Sequence, residues 1–566
     1  MSKHDPANPD SGLQWLDPRE AEADQVLDRL LAEAAERIPG LSPDQNLTDP
    51  LVKLLLAAVA KEYAAVYSQL DQVIDVAYQQ LVDNLLTFPH APHPSSLVLA
   101  LDVTDAGTPV DENLIVIGRK ALPDGDTFTE RNIHFAPFGA ERVAGIPAPM
   151  VIHQAAGGTL SLHSNGTATP VGTVEPGPGD WLHIGITASA GLELETIALF
   201  LHADDPALVD ALRWSRWYTG APADDTGFVP AENSRQVPWN GHDDPPVMRS
   251  RSDGHRPTSP HDRAFVDIPT EALRRRSAPL PEAVEVAAAT GALGEEIPHS
   301  WLRVRCHERL DVARLPLLQV LPNCVVAFNL QAATARFKIG RAPIEFVTLP
   351  VGYDGVFRLD EVRDAANVTE FLDAEAGAGL GAEAVYHLDR TPDDLLRLRL
   401  MSRSEPTRPR AVEVMYTTTS GVEANGLAAG SVDTIYNRRL APGVAGAVSI
   451  TGSAGGRAAP DRTWLTTELR AQLATRGRAV TPRDFEVLAR AFDPVRISKT
   501  EVDRGVMRGP RGITSCVRVT AHYAADQIHG DLERDLLQQQ LQQYLAARAP
   551  ADLAVAVDIV ESTGVL

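Results

Sequence analysis

Cysteine is scarce. Cys306, Cys324 and Cys516 are the only three in 566 residues, far apart and without a CxxC pair. That suits a reducing cytoplasm with buried, inert thiols better than a disulfide framework. Basic charge is also short: 52 Lys and Arg against 75 Asp and Glu leave a net charge of −23. A partner bound through its phosphate backbone is therefore disfavoured, because that affinity needs clustered Lys and Arg. No segment offers about 18 uninterrupted apolar residues, so no transmembrane helix is expected. The opening "MSKHDPANPDSGLQWLDPREAEADQ" lacks the apolar centre of a signal peptide, which makes the cytoplasm the expected location. Neither GxSxG nor HExxH occurs.

What is present is ordinary globular material, 44% hydrophobic and 22% charged. At about 150 residues per domain the length implies roughly three or four domains. Asp17-Pro18 reads as a helix start, with Asp as N-cap and Pro at the first helical position, and Pro39-Gly40 as its stop. Asp49-Pro50 repeats the signal. The next proline is Pro89. Within that run Val52, Leu56, Val59, Tyr63, Val66, Leu70 and Val73 alternate spacings of four and three, a heptad seam. A helix to about Leu86 would be roughly 55 Å long at about 1.5 Å per residue. The first helix is too short to cover it. Either the rest of the chain covers the seam, or a bundle shared with other subunits does.

Beyond "FPHAPHPSS" the texture turns to strands: "LVLALDV", "NLIVIG", then "WLRVRC" and "CVVAFNL". From Asp204 to His299 the chain is dense in Pro, Asp, Arg and Gly. Near the end, Thr481, Pro482 and Asp484 form a capping box with Asp in place of Glu. Phe485, Leu488, Ala489 and Phe492 then mark one helical face. Two strands, a helix from Asp531 and the strand "LAVAVDIV" follow, in the order α-β-β-α-β. The fold class expected is α+β and multidomain. It divides into an N-terminal long-helix bundle (1–90), a β-rich domain (91–203), an irregular insertion (204–300), a second β-rich domain (301–462) and a C-terminal two-layer module (463–566).

Chemistry is hard to find. "TGSAGGRAAPDR" lacks the GK[ST] ending of a phosphate loop. His242, Asp243, Asp244, Asp253, His255, His261 and Asp262 are competent metal ligands by type, but their spacing matches no cage, and polar loops collect such residues. Trp214 and Trp217 default to packing. No catalytic residue, metal ligand or cofactor site is expected.

Two segments resemble known families. "GGRAAPDRTWLTTELRAQLATRGRAVTPRDFEVLARAFDPVRISKTEV" resembles the baseplate J-like family of contractile phage tails and related injection machines, with Arg478, Ala479, Val480, Thr481, Asp484 and Phe485 on its pattern. "DPLVKLLLAAVAKEYAAVYSQLDQ" leading to "LLTFPHAPHPSS" resembles TssF, a baseplate subunit of type VI secretion, with Phe88 in place of that family's tyrosine. The resemblance covers roughly half the chain and leaves about 143–299 unmatched. It implies a scaffold without catalytic residues. The implied partners are a second copy of itself, a smaller wedge subunit, neighbouring wedges, the spike hub and sheath-initiating baseplate proteins. It also implies a shared helix bundle for the seam. A β-rich receptor- or glycan-binding tail module and a metal-dependent hydrolase are the competing readings.

Overall fold

The computed structural model describes residues 23–38, 49–62, 91–103, 107–124, 127–164, 167–187, 194–203, 208–209, 212, 215–219, 256–257, 259–270, 280–294, 297–298, 300–306, 312–364, 370–374, 382, 384–391, 393–402, 410–509, 512–524, 527–528, 531–550 and 553–562. Strands dominate among these residues. The chain separates into two compact units, Met1–Thr87 with Leu465–Leu473 and Phe88–Trp464 with Ala474–Leu566.

In the first unit, helix Ala23–Arg37 ends where Ile38 precedes the Pro39-Gly40 pair. A second helix starts at Pro50. The Asp49 carboxylate accepts from the Leu51 amide at 2.8 Å, satisfying a donor that has no partner within the helix. Leu27, Leu31 and Ala60 are buried, with Leu30, Leu56 and Ala57 packed around them. The alanines let the helices approach closely.

The second unit is built on sheets. One six-stranded antiparallel sheet runs Val432–Ile435, Val116–Asp124, Thr127–Pro137, Cys324–Phe328, Ser96–Val103, Val444–Ser449. Apart from the hairpin of Val116–Asp124 and Thr127–Pro137, its neighbours in space are distant in sequence, so it is closed mainly by long-range contacts. A second sheet runs Arg216–Thr219, Ser300–Arg305, Trp181–Ile186, Met150–Gln154, Thr159–Ser164, Thr167–Thr173. Helix Glu282–Ala289 lies on it, burying Ala283, Val284 and Ala287 against Ile152, Leu160 and Trp301. Gly185 stands opposite Trp301, where a Cβ would meet the indole at 2.7 Å.

The stretch 204–300 is thus not a bare connector. Strand Arg216–Thr219 pairs with Ser300–Arg305, and Phe265–Pro269 pairs with Thr196–His202. Short elements set among Pro, Asp and Arg give no periodic signal, which is why the pattern looks irregular.

Residues 331–418 form a two-sheet sandwich. Gln331–Ile339, Arg410–Thr418 and Val356–Asp364 make one sheet. Ile344–Gly352, Leu395–Ser402, Ala384–Arg390 and Leu372–Asp373 make the other. Across the first, Glu413 is flanked by Arg336 (2.8 Å) and Arg363 (2.6 Å) on the neighbouring strands. The hydrogen bonds from Arg363, then Arg336, hold its carboxyl below the usual range. Asn329 ties both ends of the sandwich to the body. Its Oδ1 accepts from Thr419 Oγ1 (3.1 Å) and the Ser420 amide (2.6 Å), and its Nδ2 donates to the His134 carbonyl (2.8 Å).

The last strands are Ile497–Gly509 and Gly512–Tyr523, antiparallel, with Ala554–Glu561 parallel to the latter. A parallel neighbour needs a crossover, and helix Asp531–Arg548 supplies it. Leu537, Leu541 and Leu545 are buried on the helix, Val555, Val557 and Ile559 on the strand. Helix Pro482–Phe492 buries Phe485, Leu488 and Ala489, with the Phe492 ring 5.0 Å from Tyr544. Phe485 is 1% exposed. Phe485→Ala is expected to cost about 3–5 kcal/mol, read as a shift in the urea unfolding midpoint. An unchanged midpoint would contradict the packing described.

Candidate functional site

Among the described residues, no group of three or more His, Cys, Asp or Glu is placed to hold a metal. Of the ligand-type residues noted in the sequence, His242, Asp243, Asp244, Asp253 and His255 lie outside the described residues. His261 and Asp262 are buried and serve the fold. His261 Nε2 sits 3.3 Å from the Ser96 carbonyl and 3.4 Å from Thr451 Oγ1. Asp262 accepts from the Ser259 amide at 2.9 Å and from Arg256 at 2.8 Å. Trp217 is buried, its indole donating to the Leu212 carbonyl, and Trp214 lies outside the described residues. All three thiols are free. Burial first, and Asp180 second, push Cys306 up to about 12, so it holds no thiolate at neutral pH.

The most built polar site is a junction. Its backbone comes from the two segments that carried resemblance, where His93 pairs with Arg457 and Ser96 with Ala454 as isolated bridges. The Asn425 side-chain amide copies a strand pairing, donating to the Gly456 carbonyl (2.9 Å) and accepting from its amide (2.8 Å). A Cβ on Gly456 would run into the Gly421 carbonyl, so glycine there serves close approach and not a phosphate. Ser96 Oγ meets Ser259 Oγ at 2.7 Å, which brings in a third segment.

Charge follows backbone into this junction. Asp493, at the end of helix Pro482–Phe492, takes Arg496 at 2.7 Å and lies 3.8 Å from Arg457. Arg496 also reaches Glu533, in the first turn of helix Asp531–Arg548, at 3.4 Å. Asp493, Arg496 and Glu533 are all buried. His93 Nδ1 lies 3.0 Å from the Gly455 carbonyl. Burial, with Arg457 beside it, pushes His93 down to about 3, so it stands neutral among the cations.

The residues of the "RAVT..DF" pattern have local jobs. Arg476 and Gly477 take left-handed backbone, φ 53 and 68°, turning the chain out of the preceding helix. Ala479 is buried and its amide donates to the Arg548 carbonyl, linking the turn to the other helix. The Asp484 carboxylate accepts from the amides of Val480 (3.1 Å) and Thr481 (2.8 Å), and Thr481 Oγ1 accepts from the Asp484 amide, completing the capping box. Arg478 and Val480 point outward.

Of the seam, Val52, Leu56 and Val59 are described, and Tyr63, Val66, Leu70 and Val73 lie outside the described residues. Leu56 packs toward Leu27 and Leu31. Val59 is 50% exposed and falls on a stripe with Leu51, Leu54 and Leu55, exposed by 68, 71 and 59%. The helix therefore has a covered face and an uncovered apolar one.

Two predictions follow from these buried groups. Removing Arg496 takes the 2.7 Å partner of buried Asp493 and the 3.4 Å contact of buried Glu533, so Arg496→Met is expected to lose about 3–5 kcal/mol, seen in urea unfolding. Separately, burial pushes His183 down to about 3 and His261 down to about 4. Unfolding restores rings that titrate near 6.5, so below that pH the unfolded state binds protons the folded state does not. Stability should be full above pH 6.5 and fall as pH drops toward 4, at about 1.4 kcal/mol per pH unit for each ring. His261→Asn should flatten that slope, and an unchanged slope would contradict the buried neutral ring.

No protein-family model matches the chain, and no curated protein matches it. Solved structures do overlap it. A chain of the type VI secretion system TssK-TssF-TssG baseplate subcomplex is 14% identical with a TM-score of 0.40, covering 89% of this chain and 96% of that one. A chain of the baseplate complex from the type VI secretion system is 14% identical with a TM-score of 0.37, over 98% and 97%. A chain of the anti-feeding prophage baseplate is 10% identical with a TM-score of 0.23, over 99% and 80%. Scores this low carry no argument about what the chain does.

Proposed function

We propose that the chain is a structural wedge subunit of the baseplate of a phage-tail-like contractile injection system, assembled in the cytoplasm and acting as a scaffold around the spike hub. The observation that supports this most is the pairing of His93 with Arg457. The two segments that resemble TssF and the baseplate J-like family are far apart in sequence, yet they share one junction. A local, accidental likeness in either segment gives no reason for that. The proposed partners are a second copy of the chain, a smaller wedge subunit, neighbouring wedges and the sheath-initiating proteins. The uncovered stripe Leu51, Leu54, Leu55 and Val59 is the surface assigned to the shared helix bundle.

Co-expression with the products of adjacent genes tests the reading. Recovery of a stoichiometric complex with a smaller subunit, seen as a wedge by electron microscopy, is the expected result. A chain that stays alone beside sheath, tube and spike proteins would sink it. Leu54→Asp with Val59→Asp places charge where side chains already meet water, so the isolated chain should melt like wild type. In a packed bundle the same carboxylates would be buried without partners. Light scattering should therefore show complex formation lost, and normal assembly by the double variant would remove the helix from the interface.

A further inference from the structure

The outer rows of the sheet under helix Glu282–Ala289 carry two arginines, Arg303 and Arg305, that form no salt bridge among the described residues. Cross-strand register sets Arg303 beside His183 and Tyr218, and Arg305 beside Trp181, on one face. The Arg303 guanidinium lies over the Trp181 ring, 4.3 Å from its centroid, and Arg305 lies 6.0 Å from the same ring. Trp181 and Tyr218 are tilted against each other, 5.7 Å between centroids. All three of Trp181, Tyr218 and Arg303 are half-buried, and Arg305 is exposed.

Among the described residues, neither arginine faces a carboxylate within salt-bridge distance. Arg303 Nε is buried and has no hydrogen-bond acceptor. Among the described residues, Arg305 donates to the Pro178 carbonyl, at 3.4 Å. Asp180, next to Trp181 in the sequence, is engaged elsewhere: it accepts from the Ala156 amide at 2.7 Å and lies 3.6 Å from His153 Nε2. The neighbouring His183 is buried and hydrogen-bonds Gln154 at 2.9 Å. A buried guanidinium nitrogen left without an acceptor costs free energy.

We propose that Trp181, Tyr218, Arg303 and Arg305 form a receptor for a carboxylate side chain on an acidic polypeptide segment of a partner subunit. A guanidinium stacked on an indole offers its edge as a planar fork, which matches a carboxylate two bonds at a time. Two cations suit one carboxylate. Trp181 and Tyr218 provide an apolar floor for the aliphatic stem of a Glu and for its neighbours. The polypeptide source rests on the scaffold reading. The carboxylate site itself rests on the geometry of the four residues.

The test uses the purified full chain and a fluorescein-labelled peptide of alternating Glu and Leu, followed by anisotropy. A Gln/Leu peptide and inorganic phosphate are the comparators. Salt-sensitive binding of the Glu peptide is expected, weakened by about tenfold or more in Arg303→Gln and Trp181→Ala. Arg303→Lys keeps the charge and loses the fork, so it should fall between. Arg305→Gln changes an exposed side chain and reads the site even if the Arg303 variants fail to fold. Equal binding of the Gln peptide, full competition by phosphate, or unchanged affinity in Arg305→Gln and Trp181→Ala would each overturn the proposal. No baseplate protein is present in this measurement. A chain that binds the peptide but forms no wedge keeps the site and loses the scaffold reading, and the reverse outcome loses the site alone.

Discussion

Charges removed from water need partners, and in the second unit one group of them meets at a single junction. Asp493, Arg496 and Glu533 are buried together, with Arg457 beside them and the neutral ring of His93 in the same junction. They come from four stretches of chain, with Asp493 and Arg496 on one of them. Leaving any one of them alone would strand a charge in a low-dielectric interior. The end of one helix, the start of another, and two segments 362 residues apart across the His93–Gly455 contact are therefore constrained to arrive together. Gly456 and Asn425 enforce the same meeting sterically, through a close backbone approach and a paired side-chain amide.

The remaining architecture is arranged around that meeting. Ser96 leaves the junction as the first residue of a central strand, flanked by Cys324–Phe328 and Val444–Ser449. From the end of Cys324–Phe328, Asn329 holds both connections to the sandwich 331–418. The sandwich thus hangs from a single strand end, while its Leu and Val residues join the main core. The sheet that carries Trp181 and Arg303 joins the same core through Leu182, Ile184, Leu302 and Val304 on its other face.

Local rules were readable from the residues alone. The Thr481–Asp484 capping box, the Asp49-Pro50 helix start, and the strands at "LVLALDV" and "WLRVRC" stand where sequence reasoning puts them, because each depends on a few adjacent side chains. What was not readable is pairing. "TGSAGGRAAPDR" gives reason to reject a phosphate loop, yet nothing local tells that Gly456 faces Gly421 or that Arg457 faces His93. Strands Arg216–Thr219 and Phe265–Pro269 are too short to show a period. The heptad seam groups Leu56 with Val59, whereas the fold covers the first and exposes the second, since one short helix covers only one side. The arginines over Trp181 come together only through strand register, which no spacing along the chain encodes.

Native-state hydrogen exchange tests the central constraint directly. The amides of Ser96 and Arg457 donate across the junction, and that of Ile497 donates to Asp493 just beyond it. If the buried charges bind these stretches into one cooperative unit, all three amides exchange with the same opening free energy and the same denaturant dependence. If residues 482–561 open at a lower free energy while Ser96 stays protected, the junction is a contact between separately stable parts and the account is wrong.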